Sequence, residues 1–219
     1  AGSAAFGNTT LNASGAGTAA DAFLAKYTPD GSLIWVRQAG GTGQDEANAV
    51  AADRSGNVWL AGRFYAAASF GAIQIAGSGS DAFLARYDAA GAVVWVRRAG
   101  GSNAIYGDAG LGVAADGQTN AFLTGYFSGQ ATFDSTQVAS AGFDDVFCAK
   151  YDAAGGLQWL RRAGGPDLDL GCAVAADGVG NVYVAGFFAS ASLAWDAQTL
   201  ASTGGREVFL TRIGLPPVP

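Results

Sequence analysis

DAFLAKY at residues 21–27 returns as DAFLARY at 81–87, as DVFCAKY at 145–151 and, more loosely, as EVFLTRI at 207–213. The starts are spaced by 60, 64 and 62 residues. Self-similarity at so regular an interval is the signature of a repeat architecture. Within each copy the side chains alternate: Phe23, Ala25 and Tyr27 share one face, Leu24 and Lys26 the other. A period of two is that of a strand. Outward from this strand come a turn, TPDG or DAAG, and then a second strand: IWVRQAGG, VWVRRAGG or QWLRRAGG. Asp and a closing Gly suit a tight hairpin turn. Next follow AVAAD (GVAAD in the second unit) and NVWLAGRF, NAFLTGYF or NVYVAGFF, which read as a further hairpin. A short segment closes the unit: FGNTTL at Phe6, FGAIQI at Phe70, FDSTQV at Phe133 and WDAQTL at Trp195.

The expected fold is therefore all-β: four-stranded antiparallel sheets repeating about every 60 residues, as in the blades of a β-propeller. The array is expected over residues 1–213, with units at about 21–80, 81–144 and 145–206 and partial units at both ends. Residues 214–219 read as a Pro-rich tail. The period exceeds the roughly 40–50 residues of WD or kelch blades, and the FGxxxL segment accounts for the excess. A β-solenoid is the competing architecture, but its coils are shorter and lack two hairpins per repeat. Phe23, Phe83, Phe147 and Phe209 occupy one repeat position and are expected to be buried between neighbouring blades.

Taken in order, DAFLAKY, WxRxxGG, AVAAD, GNVYVAGxF and FG resemble the SBBP repeat, a β-propeller repeat of secreted and surface-exposed bacterial proteins. The resemblance spans three complete units and parts of a fourth. It implies a propeller and an extracellular or cell-surface location in a bacterium. It implies no reaction, because it brings no catalytic residues with it. A closed propeller needs at least four blades, so these units call for further blades of a longer chain or for other copies. Both ends interrupt a blade and are expected to expose strand edges open to β-strand addition.

Composition narrows the function classes. The net charge is −6 and the pI about 4.4, and an acidic surface repels phosphate backbones, so nucleic acid is not an expected partner. No apolar run approaches the roughly 20 residues of a membrane helix, so membrane insertion is not expected either. Ala1 opens a Gly/Ala/Ser stretch without the charged and apolar regions of a signal peptide. The numbering starts after processing or partway into a longer chain. The 219 residues include no histidine, which removes Ser-His and Cys-His nucleophiles and most zinc sites. Phosphate-loop and nucleophile-elbow motifs are missing too. Cys148 and Cys172 either pair with each other or stay as two buried thiols.

The remaining candidates are acids, aromatics and arginines. Asp45/Glu46, Asp144/Asp145 and Asp167/Asp169 are carboxylate neighbours, but a glycosidase needs its two carboxyls across a cleft, and adjacency in sequence does not supply that. Asp45, Asp108 and Asp169 share one repeat position, and Asp53, Asp116 and Asp177 another. Loop carboxylates are the hard oxygen donors calcium takes, so Asp45, Asp108 and Asp169 are the calcium candidates. The structural alternative is that each accepts backbone N–H bonds in a turn. Trp35 and Arg37 lie two apart on one strand face, where a guanidinium can cover an indole. They form either sugar-stacking platforms or blade-to-blade packing, and packing is the favoured reading. Features that break the repeat are the better binding candidates: Tyr65, and Tyr106 inside the insertion Ser102–Asp108.

These observations lead us to expect no enzyme. The expected protein is an extracellular repeat scaffold or adhesion module that engages other copies, further blades, a cell-surface protein or a glycan. The alternative is a carbohydrate-binding, lectin-like propeller, with a hydrolase using acids at the propeller mouth as a distant third. No cofactor is expected beyond calcium.

Overall fold

A computed structural model describes residues 2–15, 19–101, 107–177, 179–195 and 198–213. The described residues are strands and turns, without helix. A short hairpin, β1 (Ser3–Phe6) and β2 (Thr9–Asn12), is followed by a longer one, β3 (Ala22–Tyr27) and β4 (Leu33–Gly40). Next come β5 (Glu46–Ala52), β6 (Val58–Phe70), β7 (Ile73–Tyr87) and β8 (Val93–Gly101), which pair in that order as a four-stranded antiparallel sheet. β9 (Ala109–Ala115), β10 (Ala121–Phe133), β11 (Thr136–Tyr151) and β12 (Leu157–Gly164) repeat it. β13 (Asp169–Ala176), β14 (Val182–Phe188), the small hairpin β15 (Ser192–Trp195) and β16 (Gln198–Ala201), and β17 (Glu207–Ile213) complete the series. There the sheet is three-stranded, in the order β13–β14–β17.

The sheets cut the repeat at a different phase from the one the sequence suggests. Each blade begins with the AVAAD strand and ends with the Trp strand, so blades run over 46–101 and 109–164. The units 21–80, 81–144 and 145–206 each join half of one blade to half of the next. The FGxxxL segment is the cause. It is the tip of a hairpin arm formed by the continuation of β6 into β7, where Phe70 pairs with Ile73, and likewise of β10 into β11. A register shift between Tyr65 and Ala67, with Ala66 at φ 63°, and between Ser128 and Gln130, with Gly129 at φ 65°, marks where the arm leaves the blade. One extra residue in one strand bends it.

Each arm reaches backwards. Phe70 and Ser69 pair with Ala39 and Gly40 of β4; Ala131, Thr132 and Phe133 pair with Gly101, Gly100 and Ala99 of β8; Trp195 and Ala194 pair with Ala163 and Gly164 of β12. The hydrogen-bond ladder thereby passes from each Trp strand into the following repeat. In the first two arms the ring at the tip also stacks on the strand that follows it. Phe70 meets Phe83 and Phe133 meets Phe147 at 4.8 Å between centroids, at 64° in both cases, within the range for aromatic pairs.

The core consists of three junctions between successive sheets. Leu24 and Trp35 pack on Leu60, Phe83 and Tyr87; Trp59 and Leu84 on Leu123, Phe147 and Tyr151; Val146 and Cys148 on Val184, Phe209 and Ile213. Phe83 and Phe147 are fully buried and Phe209 is 2% exposed. Phe23 departs from the expectation: its ring is 50% exposed. β3 pairs with β4 on one side and, among the described residues, has no neighbour corresponding to β6 or β10 on the other.

Candidate functional site

The first two Trp-x-Arg pairs join successive sheets. Trp35 donates its Nε1–H to Ala89 O at 3.3 Å, and Arg37 donates to Gly91 O at 2.7 Å and to Ala90 O at 3.1 Å. One blade on, Trp95 donates to Ala153 O at 3.0 Å, while Arg97 donates to Gly155 O at 2.7 Å and to Ala154 O at 3.3 Å. Each guanidinium lies over its own indole, 5.3 and 5.5 Å from the centroid. The pair thus forms a clamp around the DAAG turn of the next blade. The turn's last residue must be Gly: φ is +79° at Gly91 and +84° at Gly155, and a Cβ there would stand 2.8 or 2.9 Å from the clamping indole. The strand before each clamping Trp strand adds a cation, with Lys26 of β3 donating to Ala89 O and Arg86 of β7 to Ala153 O. Replacing Arg97 with Met should lower stability by about 1.5–3 kcal/mol, since hydrogen bonds from a charged donor are lost. Equal denaturation midpoints for variant and parent would contradict the clamp.

The acids are equally committed. Asp45 accepts from the amides of Gly41 and Tyr65, Asp108 from those of Gly101 and Ser128, and Asp169 from those of Gly165, Ala189 and Ser190. In each case one oxygen holds the start of the loop that follows the Trp strand and the other holds the bend of the neighbouring strand. The three calcium candidates therefore point their oxygens at amide hydrogens, the framework arrangement. Asp53, Asp116 and Asp177 make Asx turns, each with a second oxygen accepting from Asn57, Asn120 or Asn181 at 2.6–2.7 Å. Among the described residues no group of three or more His, Cys, Asp or Glu side chains converges.

The carboxylate neighbours diverge in the same way. Glu46 turns from Asp45 to Arg63, at 2.8 Å, and Asp145 binds Arg162 at 2.5 Å. Asp144, buried at 7% exposure, leaves Oδ1 without a partner. Burial, then the neighbouring Asp145, pushes its carboxyl up to about 6, and burial pushes that of Asp108 up to about 7. Both folded values lie above the unfolded one, so the folded state holds these protons more tightly. The stability they contribute is full below about pH 4 and is lost as pH rises through 6 to 7. The melting temperature should therefore fall between pH 5 and pH 8. Asp144→Asn should recover up to about 3 kcal/mol at pH 8 and nothing at pH 4. A flat pH profile, or equal effects at both pH values, would refute this. The acids held below their ordinary value by hydrogen bonds, Asp30, Asp177 and Glu207, titrate outside that window.

The cysteines are unbonded, but only one is buried: Cys148 lies in the core while Cys172 is exposed at the register shift of β13. Burial pushes both thiols up. Tyr65 is half exposed, its amide held by Asp45 at 3.0 Å. Tyr106 lies outside the described residues, as does most of the insertion around it.

Exposed apolar side chains stand on sheet faces of the first and last strand groups. One carries Phe23 and Tyr27, 50% and 48% exposed; the other carries Val208 and Leu210, 84% and 71% exposed. Sequence reasoning anticipated open strand edges and missed the faces, although the alternation in EVFLTRI already placed Val208 and Leu210 together.

A family model described as "Beta-propeller repeat" (SBBP) matches residues 34–63, from within β4 through β5 to the middle of β6. A comparison with curated proteins gives no match.

Proposed function

Starting from a chain that carries SBBP-type β-propeller repeats, we propose that it is a non-catalytic scaffold or interaction module, set outside the cell or on its surface as secreted relatives of this repeat type are. The observation that carries the reading is the commitment of the repeated polar groups to holding blades together. Trp35, Arg37, Trp95 and Arg97 clamp turns, and Asp45, Asp108 and Asp169 clasp loops. What the array presents outwards is sheet faces and loops, and loops on a rigid scaffold are where recognition resides.

Incubation with soluble polysaccharides and a glycan array provides the test. A scaffold leaves every polymer intact and retains no glycan. Glycan retention without turnover would establish the lectin-like reading, with Tyr65 as the first aromatic to substitute. Polymer cleavage would overturn the proposal in favour of a hydrolase.

A further inference from the structure

We infer that the junctions between sheets are proton-held clasps. At each, two buried aspartates, one from either sheet, keep a single proton between them, and the contact loosens when that proton leaves.

The repeat sets the leading aspartate of the DAFLAKY strand beside the aspartate at the head of the next AVAAD strand. Asp81 of β7 faces Asp108, and Asp145 of β11 lies within charge-interaction range of Asp169. All four are buried, at 0–1% exposure. A Cβ on Gly100 would stand 2.0 Å from Asp81 Oδ1 and 2.7 Å from Asp108 Oδ2, so these two carboxyls meet across a glycine. One cation serves each pair: Arg98 donates to Asp81 at 3.1 Å and Arg162 to Asp145 at 2.5 Å. Asp81 Oδ2 and Asp145 Oδ1 are buried and have no hydrogen-bond partner among the described residues. The first junction has the same plan, with Asp21 Oδ1 unpartnered, Asp45 beside it, and Gln38 donating in the arginine's place.

Two carboxylates against one guanidinium leave a buried negative charge without a cation, and a carboxyl so placed keeps its proton. Among the described residues, the other titratable group facing the first pair is Tyr126 of β10, and that facing the second is Asp144. Neither brings a positive charge, and Arg63 is taken up by Glu46 and Tyr126. Amides supply the remaining contacts: Ser78 to Asp81, Gly101 and Ser128 to Asp108, Ala141 to Asp145, and Gly165, Ala189 and Ser190, with its hydroxyl, to Asp169. Burial pushes Asp81 up against the pull of Arg98, and pushes Asp108 up to about 7, with Asp81 adding to the rise. Burial pushes Asp145 up too, and Asp169 adds to it. Folded values above the unfolded one mean that folding binds the proton. The stability it contributes is full below about pH 4 and is lost as pH rises through about 7. Asp108 holds Gly101 of one blade and Ser128 of the next, so a second charge on the pair repels at the point where the blades are tied.

Urea unfolding from about pH 5 to 8, in an Asp144→Asn chain so that this carboxyl contributes nothing, reads the retained protons. The unfolding equilibrium constant should climb with pH, about tenfold per unit for each proton the folded state keeps. Asp81→Asn leaves an oxygen for Arg98 but removes one acid of its pair, and should take about one tenfold step per pH unit off that climb. Asp145→Asn should remove a further one, and the double variant both. The carboxyl carbons of the folded parent, followed by NMR, give a second readout that needs no variant to fold. One aspartate of each pair should remain protonated at about pH 5.5, well above the ordinary carboxylate value. A climb that survives both substitutions, or four junction carboxyls that all titrate below about pH 5, would overturn the inference.

Discussion

Truncating Phe83 to alanine should destabilise the protein by about 3–5 kcal/mol, the range for a large aromatic deleted from a core. The ring is fully buried, stacks on Phe70 at 4.8 Å and lies in the junction that Leu24 and Trp35 close from the preceding hairpin. Its loss removes apolar contact from two sheets at once and leaves a cavity that neighbouring strands, tied by ladders on both sides, cannot collapse to fill. Phe23→Ala is the internal control. It occupies the same repeat position and stacks on Phe6 in the same way, at 4.8 Å, yet it is 50% exposed. It should cost about 1 kcal/mol, in proportion to the smaller area it removes from water. Urea unfolding of both variants checks the pair. Equal losses at the two positions would mean that the junctions do not govern stability.

Gly125→Ala should be at least as damaging, about 3 kcal/mol or more, with part of the protein lost to misfolding. A Cβ at this position would stand 1.9 Å from Ala109 O, and Phe147 closes the other side at 3.0 Å. The obstacle is backbone, so no rotamer change relieves it, and overpacking of this kind lies at or beyond the upper end of the usual 1–3 kcal/mol. The same contact recurs at Gly62 with Glu46 O and at Gly186 with Leu170 O, each at 1.9 Å. In all three sheets a register shift of the first two strands occurs at this glycine or within a residue or two of it. Gly117→Ala, with nothing within 4 Å of its added Cβ, should leave the unfolding midpoint within about 0.5 kcal/mol of the parent. A Gly125 variant that matches the Gly117 one would show that the strands part at no cost.

Much of this architecture is legible in the chain because each level repeats the same statement. The alternation in DAFLARY identifies a strand, DAAG a hairpin turn, and the spacing of Trp95 and Arg97 a shared face. The phase of the blade is not legible, because two antiparallel hairpins in succession look alike whichever pair is counted first. The arm settles it, and pairing such as that of Phe70 with Ala39 lies some 30 residues away in sequence. The acids show a second limit. Asp45, Asp108 and Asp169 have the composition of a cation site and of an amide clasp alike, and the choice depends on which way the N–H bonds of Gly41, Gly101 and Gly165 point. The exposed faces show a third. Val208 and Leu210 have the alternation of a core strand, and only the position of the neighbouring sheet distinguishes them from Ala82 and Leu84.

The arms also impose an order on synthesis. The outer strand of a blade is the last of its four to leave the ribosome, and the edge it exposes is covered only by residues about 30 positions further on. Gly100, at the end of β8, waits for Thr132, and Gly164 waits for Ala194. Of these outer-strand edges a nascent chain therefore carries one uncovered at a time, and each new repeat seals its predecessor while opening an edge of its own. Domains generally fold as units from the N-terminus during translation, and nearest-neighbour coupling lets that front advance one repeat at a time. A ribosome stalled just after a Trp strand would hold a chain whose most adhesive edge is its newest one.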